Sequence, residues 1–323
     1  YGVQFHPEKS QKPGKKLIFD FINSNWIEMF VDNTWYSHRR ILAEYCKVDD
    51  VPILGSIQHG VQIEGFDNNL GKHKIPYARY FCWGTKTYDY CKKNNVKNVI
   101  PIGAPFLYLD QLTKSYEKKS NGTICFPAHS NPTDKRLFQH ELFINFVMDN
   151  FPPPYTACLF FLDFNDENCS IYKNRGWEIV TAGDRSNPLF LNNLYFYISK
   201  NEFVVCTELG TSLFYSMYLN KKCSYSYKIK VNGEDIYFQK FPSTDFYLDQ
   251  LIKYKSDNKF LLEKIIDPIK SKKLADEELG LDNMKDVSDL KNLIGYDSFL
   301  KKFSAKTFRY YMDFKYKGKR NWK

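Results

Sequence analysis

Two hydroxyl residues stand where the sequence predicts a strand to end and a helix to begin. Phe203–Cys206 is a short apolar run typical of a strand, and residues 213–218 carry apolar side chains at the spacing of one helix face. Between them come Gly210, Thr211 and Ser212, where the glycine is expected to relax the turn. The first N–H groups of a helix have no intrahelical partner and the helix dipole is positive there, so this turn can hold a phosphate. The alternative interpretation is an ordinary N-terminal helix cap.

Histidines follow two other predicted strands. Gln58 and His59 come after a strand predicted at 51–57, and His129 comes after one predicted at 123–126. In open parallel sheets the carboxyl ends of the strands face the ligand crevice, so we expect the two histidines to face one another across a cleft. Histidine titrates near neutral pH and can accept a proton from a hydroxyl. We therefore predict catalytic roles for Gln58, His59 and His129, and the alternative for each histidine is a structural role.

Composition narrows the classes of partner and compartment. The 323 residues, 43% of them hydrophobic, are enough for two ordinary cores. The 46 Lys and Arg residues outnumber the 37 Asp and Glu residues, and aromatic residues reach 17%. A basic, aromatic surface suits nucleic acid, anionic lipid headgroups or nucleotide phosphates. The eight cysteines form no CxxC pair and several lie in apolar runs, which indicates reduced core thiols and a cytoplasmic location.

No apolar run approaches the roughly 18 residues of a membrane span, and no signal peptide opens the sequence. We therefore expect any membrane contact to be peripheral. The basic and aromatic segment 301–323 is the candidate for such a contact with an anionic membrane surface. A solvated tail is the favoured interpretation of this segment, membrane contact is the second, and a nucleic-acid partner is not expected.

Strands and helices alternate along most of the chain, which predicts parallel sheets with helices on both faces. The predicted strands lie at 51–57, 78–83, 99–102, 123–126, 156–162, 177–181, 203–206 and 222–227. The polar stretch 110–121 is predicted to link two halves. We therefore predict an α/β protein of two Rossmann-like halves with C-terminal helices. The predicted segments are 1–24, a first domain at 25–110, a second domain at 111–245, and helices with a basic tail at 246–323.

The opening residues carry a motif of their own, His6-Pro7-Glu8. Residues 1–24 resemble the C-terminal end of class I glutamine amidotransferases of the imidazole glycerol phosphate synthase type. The resemblance implies that His6 and Glu8 match the residues that orient and deprotonate a cysteine nucleophile. The sequence has no Gly-x-Cys-x-Gly nucleophile motif, so we expect this segment to be an inactive remnant joined to a different protein. The alternative is that the segment simply ends a strand.

Residues 25–295 resemble bacterial glycosyltransferases of the GT-B type that build surface polysaccharides and are encoded in capsule and lipopolysaccharide clusters. The resemblance rests on the order of three motifs, which are Gln58-His59-Gly60, His129-Ser130 and Glu208-x-Gly210-Thr211-Ser212. It extends more loosely to sialyltransferases and polymer transferases that use CMP or CDP donors. The resemblance implies that the first half holds the acceptor and that the second half holds a nucleotide-sugar donor.

Five residues match the donor site of such enzymes, and they are Ser130, Glu208, Gly210, Thr211 and Ser212. The sequence has no Asp-x-Asp metal motif, so we expect no metal and no cofactor. Helix N-termini, hydroxyls and basic side chains would then neutralise the leaving phosphate. Ser130 replaces the proline that follows the histidine in the simplest sialyltransferase pattern, which leaves the donor sugar open.

The leading hypothesis is a cytoplasmic glycosyltransferase, for which a peripheral position at the inner face of the membrane stays an alternative. It would move a sugar from a CMP- or nucleoside-diphosphate-linked donor to a surface-polysaccharide or lipid-linked acceptor. One alternative is a fragment of a class I glutamine amidotransferase. Another is a non-catalytic module that binds a nucleotide or a polysaccharide, which would bind ligand without turnover.

Overall fold

The computed structural model describes residues 30–50, 52–53, 55–63, 79–113, 120–130, 138–238 and 252–295. The amidotransferase-like segment 1–24, with His6 and Glu8, lies outside the described residues. The basic segment 301–323 also lies outside them. The predictions for both segments therefore stay predictions.

The first half is built on a small parallel sheet. Its three strands run in the order β1-β2-β3, and they are β1 (Gly55–Ile57), β2 (Arg79–Cys82) and β3 (Val99–Pro101). Among the described residues, three helices belong to this half, and they are α1 (His38–Tyr45), α2 (Thr85–Lys93) and α3 (Pro105–Thr113). A 3₁₀ segment, Val31–Ser37, leads into α1, and it is interrupted by non-helical backbone angles at Trp35 and Tyr36. All three residues of β1 are buried, as expected for a strand covered on both faces.

The second half is built on a larger parallel sheet. Its five strands run in the order β6-β5-β4-β7-β8, and they are β4 (Thr123–Phe126), β5 (Tyr155–Cys158), β6 (Glu178–Val180), β7 (Phe203–Cys206) and β8 (Lys222–Tyr225). The crossover helices are α4 (His140–Asn150), α5 (Asp166–Lys173), α6 (Phe190–Lys200) and α7 (Thr211–Tyr218). The strand order reverses direction beside β4, which places the carboxyl ends of β4 and β7 at a topological switch point.

Helices after the second sheet pack across both halves. Residues 252–257 are helical, and α8 (Pro268–Leu279) and α9 (Val287–Ile294) follow. The start of α8 is encoded locally, because the Asp267 side chain accepts hydrogen bonds from two backbone N–H groups and proline occupies the first turn. This helix contacts α7 of the second half and α2 of the first. An ion pair of 2.6 Å between Lys86 and Glu278 adds to the second contact.

The predicted class is confirmed by this topology: an α/β protein of two Rossmann-like halves, of the GT-B type, with C-terminal helices. One apolar cluster joins the halves, since it includes Phe81 and Trp83 of the first and Val204 and Phe214 of the second. Among the described residues, no helix combines the length and the apolar character needed to cross a membrane.

Two elements were not predicted, and one strand was predicted to be too long. Helix α3 was not predicted, and it occupies the start of the supposed linker at 110–121. Residues 228–237 form an antiparallel hairpin of β9 (Lys228–Val231) and β10 (Glu234–Tyr237), although only alternating strands and helices were predicted. Strand β5 ends at Cys158 instead of residue 162, because the chain turns at 161–163.

Candidate functional site

A pocket of about 490 Å³ lies between the two halves. The first half contributes Tyr36, His38 and the loop 59–62 that follows β1. The second half contributes the loops after β4, β5, β6 and β7 and the first turn of α7. These four loops sit at the carboxyl edge of the parallel sheet, which is where open α/β sheets bind ligands.

The first turn of α7 forms one wall of the pocket. Its N-cap residue is Gly210, which has extended backbone angles (φ −97°, ψ 173°) and no side-chain cap. Thr211 and Ser212 are therefore helical residues, and the interpretation of their hydroxyls as an ordinary helix cap is wrong. A Cβ atom at Gly210 would meet no heavy atom within 4 Å. The glycine is thus not required by the backbone, and its missing side chain leaves the helix end open to a ligand.

Thr211 also joins the two halves. The backbone N–H of Val61 donates to the Thr211 Oγ1 atom at 3.2 Å. A Cβ atom on Gly60 would lie 2.9 Å from the same oxygen, which is closer than a side-chain carbon normally comes. The backbone of the loop after β1 therefore lies in direct contact with the N-terminal end of α7. Because the Thr211 hydroxyl accepts this hydrogen bond, its own hydrogen remains able to donate to a ligand.

His59 is an exposed pocket residue with aromatic neighbours. Its ring packs edge-on against Trp35 and Tyr36, with centroid distances of 5.3 and 4.8 Å. His38 lies behind it and is buried. Burial lowers the pKa of His38 to about 3, and the charge of His59 adds a smaller effect in the same direction. His38 is therefore neutral near pH 7.

His129 lines the opposite side of the pocket. Its Nδ1 atom lies 2.9 Å from the Ser130 carbonyl oxygen, and its ring lies 4.4 Å from that of Phe160 between centroids. Because a carbonyl oxygen only accepts hydrogen bonds, this contact assigns the proton of the neutral ring to Nδ1. The Nε2 atom is then the one that can accept a proton.

The pocket brings together six of the eight site residues predicted in the two halves, which are His59, His129, Glu208, Gly210, Thr211 and Ser212. Their chemical roles stay predictions. Gln58 does not line the pocket: only 1% of its surface is exposed, its Oε1 accepts from Trp83 N, and its Nε2 donates to Gly60 O. Ser130 does not line it either, and its N–H donates to Asp163. The Gln58 side chain therefore supports the loop after β1, and the Ser130 backbone ties the loop after β4 to the loop after β5.

Several pocket residues were missed in the sequence. Tyr36 and His38 come from the segment before β1, and Gly183 comes from the loop after β6. Thr207 supports the pocket from beneath, because its Oγ1 accepts from the Ala128 N–H at 2.7 Å and so ties the β7 loop to the β4 loop. Thr207 could have been predicted as a site residue, because it follows a buried strand directly. The sequence around Tyr36 and His38 has no feature that predicts their position in the pocket. Within the part of the chain that the structure describes, no group of three or more His, Cys, Asp or Glu side chains could hold a metal.

No protein-family model matches this chain, and no curated protein is similar to it. Solved structures with similar folds include S. aureus MnaA with UDP, at 11% identity and a TM-score of 0.41, covering 84% of this chain and 71% of the other. A putative UDP-N-acetylglucosamine 2-epimerase from Listeria monocytogenes has 11% identity and a TM-score of 0.41, covering 95% and 78%. A glycosyltransferase from Rickettsia africae has 13% identity and a TM-score of 0.33, covering 92% and 84%.

Proposed function

We propose that this chain is a glycosyltransferase that moves a sugar from a nucleotide-sugar donor to an acceptor hydroxyl. The observation that carries the proposal is a single pocket that joins the N-terminal end of α7 to a histidine from each half. A volume of about 490 Å³ lies within the usual range for small-molecule sites and is large enough for a nucleotide sugar.

The donor phosphate would sit at the first turn of α7. The N–H groups of Thr211 and Ser212 are among those that a helix leaves without an intrahelical partner, and the helix dipole favours an anion there. The hydroxyls of both residues add donors, and Gly210 leaves room for a close approach. As the bond to the sugar breaks, its electron pair passes to the phosphate oxygen, and these donors stabilise the new charge.

The acceptor would approach from the side of His59. Its hydroxyl oxygen forms the new bond to the anomeric carbon while His59 accepts the hydroxyl proton. His129, on the other wall, would hold the donor phosphate in its protonated form, in which Nδ1–H donates to the Ser130 carbonyl oxygen and Nε2–H donates to a phosphate oxygen. Glu208 would bind a ribose hydroxyl or orient His129.

For the substrates we propose a CMP- or nucleoside-diphosphate-linked donor and, as acceptor, a glycan or a lipid-linked glycan of a capsule or lipopolysaccharide. This choice is supported by the resemblance of residues 25–295 to surface-polysaccharide enzymes. We place the reaction in the cytoplasm, with segment 301–323 as the candidate contact to the inner face of the membrane, and we propose that it needs no metal ion.

The first experiment is a thermal-shift screen with CMP, CDP, UDP and GDP. A nucleotide at 100 times its dissociation constant stabilises the folded state by about 2.7 kcal/mol, so the true donor base should stand out. Turnover of the matching nucleotide sugar is then measured for His59→Ala and for His59→Gln, which keeps a polar side chain without a titratable base. We expect both variants to lose about two to four orders of magnitude in turnover with unchanged nucleotide affinity.

His129→Ala is the contrasting variant, and it should weaken both nucleotide binding and turnover. Products are analysed for the linkage of the sugar. A sugar that is isomerised while still attached to the nucleotide would identify an isomerase and contradict transfer. Full turnover in His59→Ala would remove His59 from the reaction.

A further inference from the structure

Arg185 lies beside the pocket in an unusual setting. Its guanidinium carbon is 4.0 Å from the centroid of the Trp35 ring, so the guanidinium stacks on the indole face. The Trp35 ring contacts His59 edge-on at 5.3 Å. The Trp35 ring therefore lies between the Arg185 guanidinium and the His59 ring and contacts both. The positive charge of Arg185 is therefore separated from His59 by one aromatic ring.

The guanidinium has no counter-ion among the residues that the structure describes. The neighbouring carboxylate, Asp184, uses its Oδ1 atom to accept from the Ser186 N–H at 2.8 Å. No described carboxylate lies within ion-pair distance of Arg185, whereas Arg175 pairs with Glu141 at 3.1 Å. Stacking leaves the N–H groups at the guanidinium edge available, and this planar edge matches a carboxylate or a phosphate.

The backbone beneath Arg185 is strained. Tyr36 and Ser37 both have left-handed angles, with φ of 55° and 64°, which residues with a side chain rarely adopt. Two hydrogen bonds hold them there, from Tyr36 N to Arg185 O at 2.6 Å and from Ser37 Oγ to Asn187 O at 3.0 Å. Such strain persists where the surroundings fix it and is concentrated at ligand-binding sites. The strained turn fixes Trp35 under the guanidinium.

We propose that Arg185, stacked on Trp35, recognises an anionic group of the acceptor, either the carboxylate of a sugar acid or a phosphate. The assignment to the acceptor rests on the proposed function, because it places the acceptor on the side of His59. Anion binding at Arg185 does not depend on that function. A neutral glycan leaves the half-buried guanidinium unpaired, so the site favours an acidic one.

The test follows Trp35 directly. The protein is labelled with 5-fluorotryptophan, and the Trp35 resonance is assigned by its loss in Trp35→Phe. Glucuronic acid, glucose 6-phosphate and glucose are titrated in turn, so that the carboxylate and the phosphate are compared with a neutral sugar. We expect at least one of the two anions to shift the Trp35 resonance with a dissociation constant about tenfold to a hundredfold below that of glucose, the scale of charge-assisted hydrogen bonds. Equal affinities for all three sugars would overturn the proposal.

Variants locate the effect. Arg185→Gln should abolish the preference for the anion, and Arg185→Lys should keep only part of it, because lysine retains the charge without the planar edge. Arg175→Gln is the matched control, since it also removes an arginine from the second half, and it should keep the full preference. An unchanged preference in Arg185→Gln would overturn the proposal.

Nucleotide titration separates this proposal from the proposed function. If Arg185→Gln binds CMP or UDP more than tenfold more weakly than the parent protein, the anion is the donor phosphate and the acceptor assignment is wrong. If the parent protein prefers the acidic sugar but turns over no nucleotide sugar, the proposed function fails while anion recognition by Arg185 stands.

Discussion

His38 makes the stability of this protein sensitive to acid. It is the first residue of α1, only 1% of its surface is exposed, and its ring lies edge-on to Trp83 at 5.8 Å. Its Nδ1 atom has no hydrogen-bond partner among the described residues. Burial, and to a smaller extent the charge of His59, lowers the pKa of His38 from 6.5 to about 3.

The magnitude follows from the two pKa values. Below about pH 6.5 the unfolded chain binds a proton at His38 that the folded protein does not bind, so acid favours unfolding. The free energy of unfolding is therefore unaffected by protonation of His38 above about pH 6.5, and it falls progressively as the pH decreases towards about 3. Each pH unit in this window is worth about 1.36 kcal/mol, so moving from pH 7 to pH 5 should cost about 2 kcal/mol.

The assay is urea unfolding of the parent protein and of His38→Leu at pH 7 and pH 5. Leucine fills a similar volume and cannot bind a proton. Between pH 7 and pH 5 the free energy of unfolding should therefore fall by about 2 kcal/mol less in the variant than in the parent protein. His140, whose pKa is also lowered by burial, contributes equally to both proteins and cancels in the difference. Equal losses in the two proteins would show that His38 is hydrated or paired, and would refute the reasoning.

Three further predictions concern the pocket and the chain start. Replacing Thr211 and Ser212 together by Ala should weaken nucleotide binding by about 1–3 kcal/mol in calorimetry. It should also cost about 1 kcal/mol of stability, because neither hydroxyl caps α7 but the Val61 N–H loses the Thr211 Oγ1 atom as its acceptor. Gly60→Ala should cost about 1–3 kcal/mol in unfolding experiments, because its Cβ would crowd Thr211 Oγ1, whereas Gly210→Ala should be tolerated. Deleting residues 1–24 should leave folding and transferase turnover intact; an insoluble product would show that this segment belongs to the domain.

The fold was predictable where apolar runs are short and bounded by turn residues. Strands β4 and β7 begin and end where the sequence predicted, since each is a short run of apolar or β-branched residues that is bounded by turn residues. Helix α3 was missed because Pro105 and the next four residues are all buried, so no amphipathic pattern marks the helix. The hairpin was predictable, because Asn232 and Gly233 have positive φ and form the Asn-Gly turn that favours hairpins.

The candidate site was predictable only in its strand-end loops. His59, His129 and the α7 turn follow strands, and parallel strands deliver the residues after them to one edge. Tyr36 reaches the pocket by another route, through a left-handed backbone that is held by the Arg185 carbonyl oxygen. The two residues are 149 positions apart, and no local pattern specifies such a contact.

The relative placement of the halves, and with it the shape of the pocket, depends on the helix that the sequence did not predict. Asp110 on α3 accepts hydrogen bonds from Tyr195 on α6 at 2.8 Å and from Tyr218 on α7 at 2.9 Å. Phe106, one turn earlier on α3, stacks on Tyr215 with 3.9 Å between ring centroids. These contacts fix α7 against the first half from one side, while Val61 and Thr211 meet at its N-terminal end. Helix α3 therefore helps to hold the first turn of α7 beside the His59 loop.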